Sequence, residues 1–206
     1  MLKRVIFDLD NTLIMTESFL IPNQKALQRI GIYDLEKAKL LDYCGDDYEE
    51  NFSNYNRNDF LNFINQRLNL NLGQEFVDIL FDEFRNSVPE NFDKEREVLE
   101  YLASKYELVI LTNYFKEIQA SRLKQVGVFH LFKDIFGEDC LKPRKEAYLK
   151  ACGPHSPNEC IMIGDNFDYD VKAPRKFGLS SIWITKKENS NGKDIINNLS
   201  ELKDIL

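Results

Sequence analysis

Val5-Ile6-Phe7-Asp8-Leu9-Asp10-Asn11-Thr12 opens with three apolar residues and runs straight into two aspartates. A short apolar run without polar alternation suits a strand buried on both faces, as in parallel sheets covered by helices. The two-residue spacing puts Asp8 and Asp10 on one side of the extended chain. Carboxylates held that close repel, which calls for a shared proton or a cation between them. Asp-Asn-Thr is equally good turn chemistry, so the run alone reads as chemistry or as a simple strand-to-turn junction.

Three further runs share this texture: Leu108-Val109-Ile110-Leu111, Ile161-Met162-Ile163 and Ser181-Ile182-Trp183-Ile184, with a weaker one at Asp134-Ile135-Phe136. Helical patterns separate them. Val98, Leu99 and Leu102 share one face; Ile118, Leu123 and Val126 mark a second helix closed by Gly127; Val171, Ala173 and Phe177 mark a third closed by Gly178. Alternation of this kind predicts an α/β fold, a doubly wound parallel sheet with right-handed crossovers. Ligands of such sheets sit beyond the carboxyl ends of the strands. Asp8, Asp10, Thr112, Asn113 and the run Gly164-Asp165-Asn166-Phe167-Asp168-Tyr169-Asp170 all fall there. Lys142 precedes Pro143, which disfavours helical backbone at the lysine and predicts an extended residue. Taken singly, Thr112 could be a helix cap and Lys142 a lysine in a surface turn.

Residues 16–93 break the alternation. Ala26, Leu27 and Ile30, then Leu35, Ala38 and Leu41, then Phe60, Ile64 and Leu68, then Phe76, Ile79, Leu80 and Phe84 repeat at helical spacing. A βα loop is typically about 2–6 residues, so this block reads as an inserted helical subdomain. The expected division is a core of residues 1–15 and 94–206 and a helical domain of 16–93. The stretch 42–58 reads as a loop or weak helix. Its acidic, aromatic part, 42–50, is either a solvated loop or a substrate-facing one in which Tyr43 or Tyr48 packs on a sugar or base.

Composition narrows the function. Of 206 residues, 43% are hydrophobic and 30% charged, as in globular domains with a sizeable core. No apolar run approaches the roughly 18 residues that span a bilayer, and Val5-Ile6-Phe7 is too short for a signal-peptide core. The expectation is a cytoplasmic protein with no membrane partner. Cys44, Cys140, Cys152 and Cys160 form no C-x-x-C pair and read as reduced thiols. Two histidines give little support to histidine-based chemistry, and a net charge of −7 argues against a nucleic acid polymer as partner.

Together these segments resemble, in order, the four motifs of the haloacid dehalogenase superfamily: Asp8-Leu9-Asp10-Asn11-Thr12, then Thr112, then Lys142, then Gly164-Asp165 with Asp170. The resemblance covers essentially the whole chain. A helical insertion after the first motif resembles the α-helical cap of small-molecule phosphatases and β-phosphoglucomutases. The resemblance implies a Rossmann-like core and a phosphatase of small phosphorylated metabolites, of the sugar phosphate or nucleotide class. It implies Asp8 as nucleophile, Asp10 as general acid and base, and Thr112, Asn113 and Lys142 as holders of the phosphate. Mg2+ would be bound by Asp8, the Asp10 carbonyl and Asp165, with Asp170 in support and Asn166 and Asp168 as further shell members.

Two positions depart from the pattern. Cys140-Leu141-Lys142-Pro143-Arg144 lacks the glycine before and the acid after Lys-Pro, and Asn11 replaces the common glycine, a change that Asn's tolerance of left-handed backbone allows. Asp10 argues against dehalogenation, and a phosphonate hydrolase would need a Schiff-base lysine from among Lys25, Lys37 and Lys39. A phosphomutase is the main alternative, although residues 16–93 hold no histidine to shuttle protons. Outside the enzymes stand a receiver-like signalling module, whose motif order differs, and a phosphate-binding protein without turnover.

Overall fold

The chain leaves its first unit after Met15 and rejoins it at Pro89, so that Met1–Met15 with Pro89–Leu206 form one compact unit and Thr16–Val88 another. The computed structural model describes residues 1–15, 19–51, 56–186 and 192–206.

The Thr16–Val88 unit is helical: α1 Leu20–Arg29, α2 Leu35–Asn51, α3 Arg57–Leu68 and α4 Gln74–Arg85. The periodic residues do bury a shared face, with Ala26, Leu27, Ala38, Leu41, Phe60, Ile64, Leu68, Phe76, Leu80 and Phe84 inside. Leu35, placed on that face by its spacing, is exposed at the start of α2. Of the two readings of 42–58, loop or weak helix, the first part takes the helix: α2 continues to Asn51, and 52–55 lie outside the described residues. Tyr48 cannot pack on a ligand, because its ring is buried against Phe60 and Phe63, with centroids 5.1 and 5.6 Å away. Tyr43 is exposed. Lys25 is exposed too, Lys39 pairs with Glu36 and Lys37 donates to the Leu68 carbonyl, so none sits in the apolar pocket an amine nucleophile needs.

The other unit is a parallel sheet of β1 Arg4–Phe7, β2 Glu107–Leu111, β3 Phe132–Phe136, β4 Cys160–Gly164, β5 Ser180–Ile184 and β6 Ile195–Ile196. The order is β3-β2-β1-β4-β5-β6, every neighbour parallel. Helices α5 Asp93–Ala103, α6 Lys116–Gln125, α7 Lys145–Cys152, α8 Ala173–Lys176 and α9 Leu202–Ile205 make the crossovers and close the chain. The apolar strand runs are as buried as their texture predicts: Val5, Ile6, Phe7, Val109, Ile110, Met162 and Ile163 have no exposed surface. Gly127 and Gly178 end their helices with φ of 78° and 91°, the left-handed conformation a glycine cap supplies. The third predicted helix begins as a π-turn over Phe167–Lys172 before α8. Helix α7, the two-residue β6 and α9 had no clear period in the sequence.

Strand order reverses between β1 and β4, which are hydrogen-bonded neighbours with Phe7 opposite Ile163. Such a reversal opens a crevice at the carboxyl ends of both strands. Asp8 and Asp165 are the residues that follow those ends. No helix among the described residues is long and apolar enough to cross a membrane, and all four cysteines are free and buried.

Candidate active site

The loop after β1 is wound around one carbonyl. Leu9 O accepts from the amides of Leu13 and Ile14, both at 2.9 Å, and Asn11 N–H donates back to Ile14 O. The turn requires φ of +57° at Asn11, the left-handed conformation expected for that position. It also carries Thr12 back under the strand end, where its buried hydroxyl lies 3.1 Å from Asp8 Oδ2 and 3.5 Å from Asp165 Oδ1.

Lys142 reaches the same place. Its Nζ lies 2.8 Å from Asp8 Oδ1 and 2.7 Å from Asp170 Oδ1, all three side chains being buried. The Lys142–Pro143 peptide is cis. Asn113 secures the lysine backbone, accepting from Lys142 N–H at 2.7 Å and donating to Lys142 O at 2.9 Å. Gly137 lets the segment before Lys142 approach the backbone after β2, since a Cβ there would lie 2.4 Å from Tyr114 O. Asp170 is held by the turn after β4: its N–H donates to Asn166 O at 2.7 Å and its Oδ2 accepts from Asn166 N–H at 3.1 Å. Gly164 makes room for it, since a Cβ there would stand 2.2 Å from Asp170 Oδ2.

Carboxylates outnumber cations here, and their proton affinities respond. Burial pushes the Asp8 carboxyl up to about 7 against the opposing pull of Lys142, with Asp170 and Asp10 adding repulsion. Asp165 is raised to about 6 by burial and then by the charge of Asp8. Burial also raises Asp170, which Lys142 counteracts. For Lys142 burial works downward, but Asp170 and Asp8 outweigh it and the ammonium is held firmly. Asp8, Asp165 and Asp170 can each offer an oxygen within 4.8 Å of one another. An all-carboxylate donor set suits a hard divalent cation, whose charge would offset the repulsion, so these residues fit the magnesium that the motifs imply.

The remaining expected residues separate. Thr112 is buried after β2, its N–H donating to Phe136 O and its hydroxyl accepting from Gln119 Nε2 at 3.1 Å. Asp10 turns to a partner set of its own: Arg122 Nη1 at 2.5 Å from Oδ1 and Gln119 Nε2 at 2.7 Å from Oδ2. Asn166 uses its side chain to cap Asp168 and Tyr169 N–H, and exposed Asp168 pairs with Lys172. Gln119, Arg122 and the bracing side chain of Asn113 were not singled out from sequence. The available signal was two polar residues on the face of α6 that also carries Ile118 and Leu123.

A parallel 3-2-1-4-5-6 sheet with an aspartate at its switch point, a lysine from the third segment and an acidic fourth segment defines a class of hydrolase. The chain belongs to the haloacid dehalogenase-like hydrolases, whose family model matches residues 5–184. Glyceraldehyde 3-phosphate phosphatase of Methanothermobacter thermautotrophicus is 26% identical over the whole of both chains. YfnB of Bacillus subtilis is 31% identical over 48% of this chain and 45% of its own length. The magnesium-bound YfnB structure has the same fold, with a TM-score of 0.79 at 21% identity over 100% of this chain and 98% of that one. L-2-haloacid dehalogenase of Xanthobacter autotrophicus also shares it, with a TM-score of 0.76 at 13% identity over 100% and 98%.

Proposed function

We propose that the protein hydrolyses small phosphate monoesters through an aspartyl-phosphate on Asp8. The observation that carries this reading is the division of partners between two carboxylates two residues apart. Asp8 faces Lys142 and Thr12, whereas Asp10 faces Arg122 and Gln119. Separate environments let identical groups take different proton roles. The phosphatase relative, matched end to end, supports the same reading.

In the first step an Asp8 oxygen bonds to phosphorus as the ester P–O bond breaks, and Asp10 gives its proton to the departing oxygen. In the second, water attacks the same phosphorus while Asp10 takes a proton from it. The P–O bond to Asp8 then breaks and inorganic phosphate leaves. Lys142 balances charge on the transferring group. Thr112, whose oxygen already accepts from Gln119, has its own proton to donate to a phosphate oxygen, and the backbone amide of Asn113 is a second donor. Asp8, Asp165 and the Asp10 carbonyl, supported by Asp170, would hold magnesium. Bound there, the ion supplies positive charge to phosphoryl oxygens.

Dehalogenation is the second reading, favoured by the fold shared with L-2-haloacid dehalogenase; Asp10 and its dedicated partners weigh against it. The test is phosphate release from a panel of monoesters, with magnesium or a chelator, for native protein and Asp8→Asn. Magnesium-dependent release lost by at least about 10³-fold in the variant is the expected result. Halide release from 2-chloropropionate without release of phosphate would overturn it. Conversion of a sugar phosphate to its isomer would instead identify a mutase.

A further inference from the structure

We infer that Arg122 and Gln119 are positioning residues that seat Asp10 for proton transfer, an assignment that rests on the role proposed above for Asp10. Their spacing of three places both on one face of α6. That face is the inward one: Ile118, Gln119, Arg122 and Leu123 are its buried residues, with Gln119 0% and Arg122 1% exposed. An arginine so completely buried is uncommon unless it is paired. Arg122 Nη1 contacts Asp10 Oδ1 at 2.5 Å and Gln119 Oε1 at 2.9 Å. Gln119 Nε2 contacts Asp10 Oδ2 at 2.7 Å and Thr112 Oγ1 at 3.1 Å. Both Asp10 oxygens are thus fixed from one helix, and the same amide ties Asp10 to Thr112 at the end of the neighbouring strand.

Stability alone does not account for this arrangement. Apolar residues of similar volume commonly replace a buried ion pair at no loss of stability. Two polar side chains turned inward on a ten-residue helix therefore point to a task, and among the described residues both meet on the Asp10 carboxylate. Asp10 itself opens the turn at Asn11–Leu13 and keeps 22% of its side chain exposed, so without the pair it would have several rotamers open to it. A general acid must lie within hydrogen-bond reach of the departing oxygen. Arg122 and Gln119 restrict Asp10 to one seat without touching the phosphorus.

The distinguishing property is the leaving group. An alkyl ester needs a proton at its departing oxygen, whereas 4-nitrophenolate departs without one. In single turnover, Arg122→Met is expected to slow phosphoryl transfer from an alkyl phosphate by about 10–100-fold, a part of the 10²–10⁴ that positioned acid catalysis contributes. The 4-nitrophenolate burst should change by less than about 3-fold, KM should hold, and Arg122→Lys should recover part of the alkyl rate. In an Asp10→Asn background the Arg122→Met change should cost less than about 3-fold more. A crystal structure of Arg122→Met should show the Asp10 carboxylate displaced, with Asp8 and Lys142 in place.

Equal losses for both esters, a full loss in the Asp10→Asn background, or an unmoved Asp10 would each overturn the assignment. If Arg122→Met does not fold, Arg122→Lys and Gln119→Met carry the same comparisons. Native protein inactive on every ester would sink the phosphatase reading alone, and the crystallographic result would still decide whether the pair seats Asp10.

Discussion

Each end of the sheet buries a cation against carboxylate charge, and the two resolve that charge in opposite ways. At the amino ends of the strands, Arg4 is buried with Nη2 2.5 Å from Glu107 Oε2 and Nη1 2.8 Å from Ala151 O. Lys133 also pairs with Glu107, and His155 Nε2 lies 2.9 Å from it. Three donors thus surround one carboxylate, and the bonds from Lys133, Arg4 and His155 hold Glu107 down at about 2. At the carboxyl ends one lysine serves Asp8 and Asp170 with Asp165 close by, and Asp8 and Asp165 are raised instead. The first end is electrostatically satisfied and braces the fold. The second is left short of positive charge, a state that a substrate-binding or cation-binding site can exploit.

A glycine serves each end. Gly153 (φ 61°) leaves space that a Cβ would fill 2.3 Å from Arg4 Nη1, and Gly164 does the same beside Asp170. Among changes that separate the two ends, Gly164→Ala is expected to have the largest effect. Asp170 is fully buried, and the added Cβ would lie 2.5 Å from its own Cβ. The aspartate cannot swing clear, so it must leave Lys142. Turnover should fall by at least about 10²-fold, with about 1–3 kcal/mol lost to overpacking, read by kinetics and denaturant unfolding. Unchanged kinetics would mean that Asp170 is dispensable to the acidic end.

Added magnesium should favour the folded state by about 2.7 kcal/mol at a hundred times its Kd, raising Tm, and Asp165→Asn should remove most of that gain. Trp183, the single tryptophan, donates from Nε1 to Asp165 O at 2.8 Å, so its fluorescence gives a second titration independent of activity. A Tm indifferent to millimolar magnesium would erase the contrast between the two ends.

The smallest effect belongs to Glu107. Its folded value lies below the ordinary 4.5, so it stabilises the protein above about pH 4.5 and loses that contribution as pH falls through about 2. Glu107→Gln should therefore melt about 2–4 °C below native protein at neutral pH. The gap should close between pH 4.5 and 2, with turnover at neutral pH unchanged. A pH-independent gap would assign the loss to packing instead.

Much of the site was legible because its chemistry lies in short runs attached to strand ends. An apolar triplet buried on both faces has few alternatives to a central strand, so the location of Asp8, Thr112 and Asp165 followed from topology. Asn11 could be read for its backbone because left-handed φ is selective for few residue types. The inserted helices were legible from spacing alone, yet the same spacing misplaced Leu35, and polar texture left the continuation of α2 through Tyr48 undecided between loop and helix. A helix whose inward positions include Tyr and Cys gives a weak period.

What the sequence by itself determined is the parallel α/β core, the inserted helical block and which carboxylates stand at the sheet edge. Those follow from local patterning and strand order, which short stretches of chain encode. Only the tertiary structure decided that Asn113 braces Lys142, that Gly164 accommodates Asp170, and that Arg122 and Gln119 turn inward to Asp10. The first and the last are pairings between residues distant in the chain, and the second depends on how the turn after β4 folds back on the strand end. A polar residue on a helix reads as surface until the opposing group is in place, because a partner, not a period, makes its burial favourable.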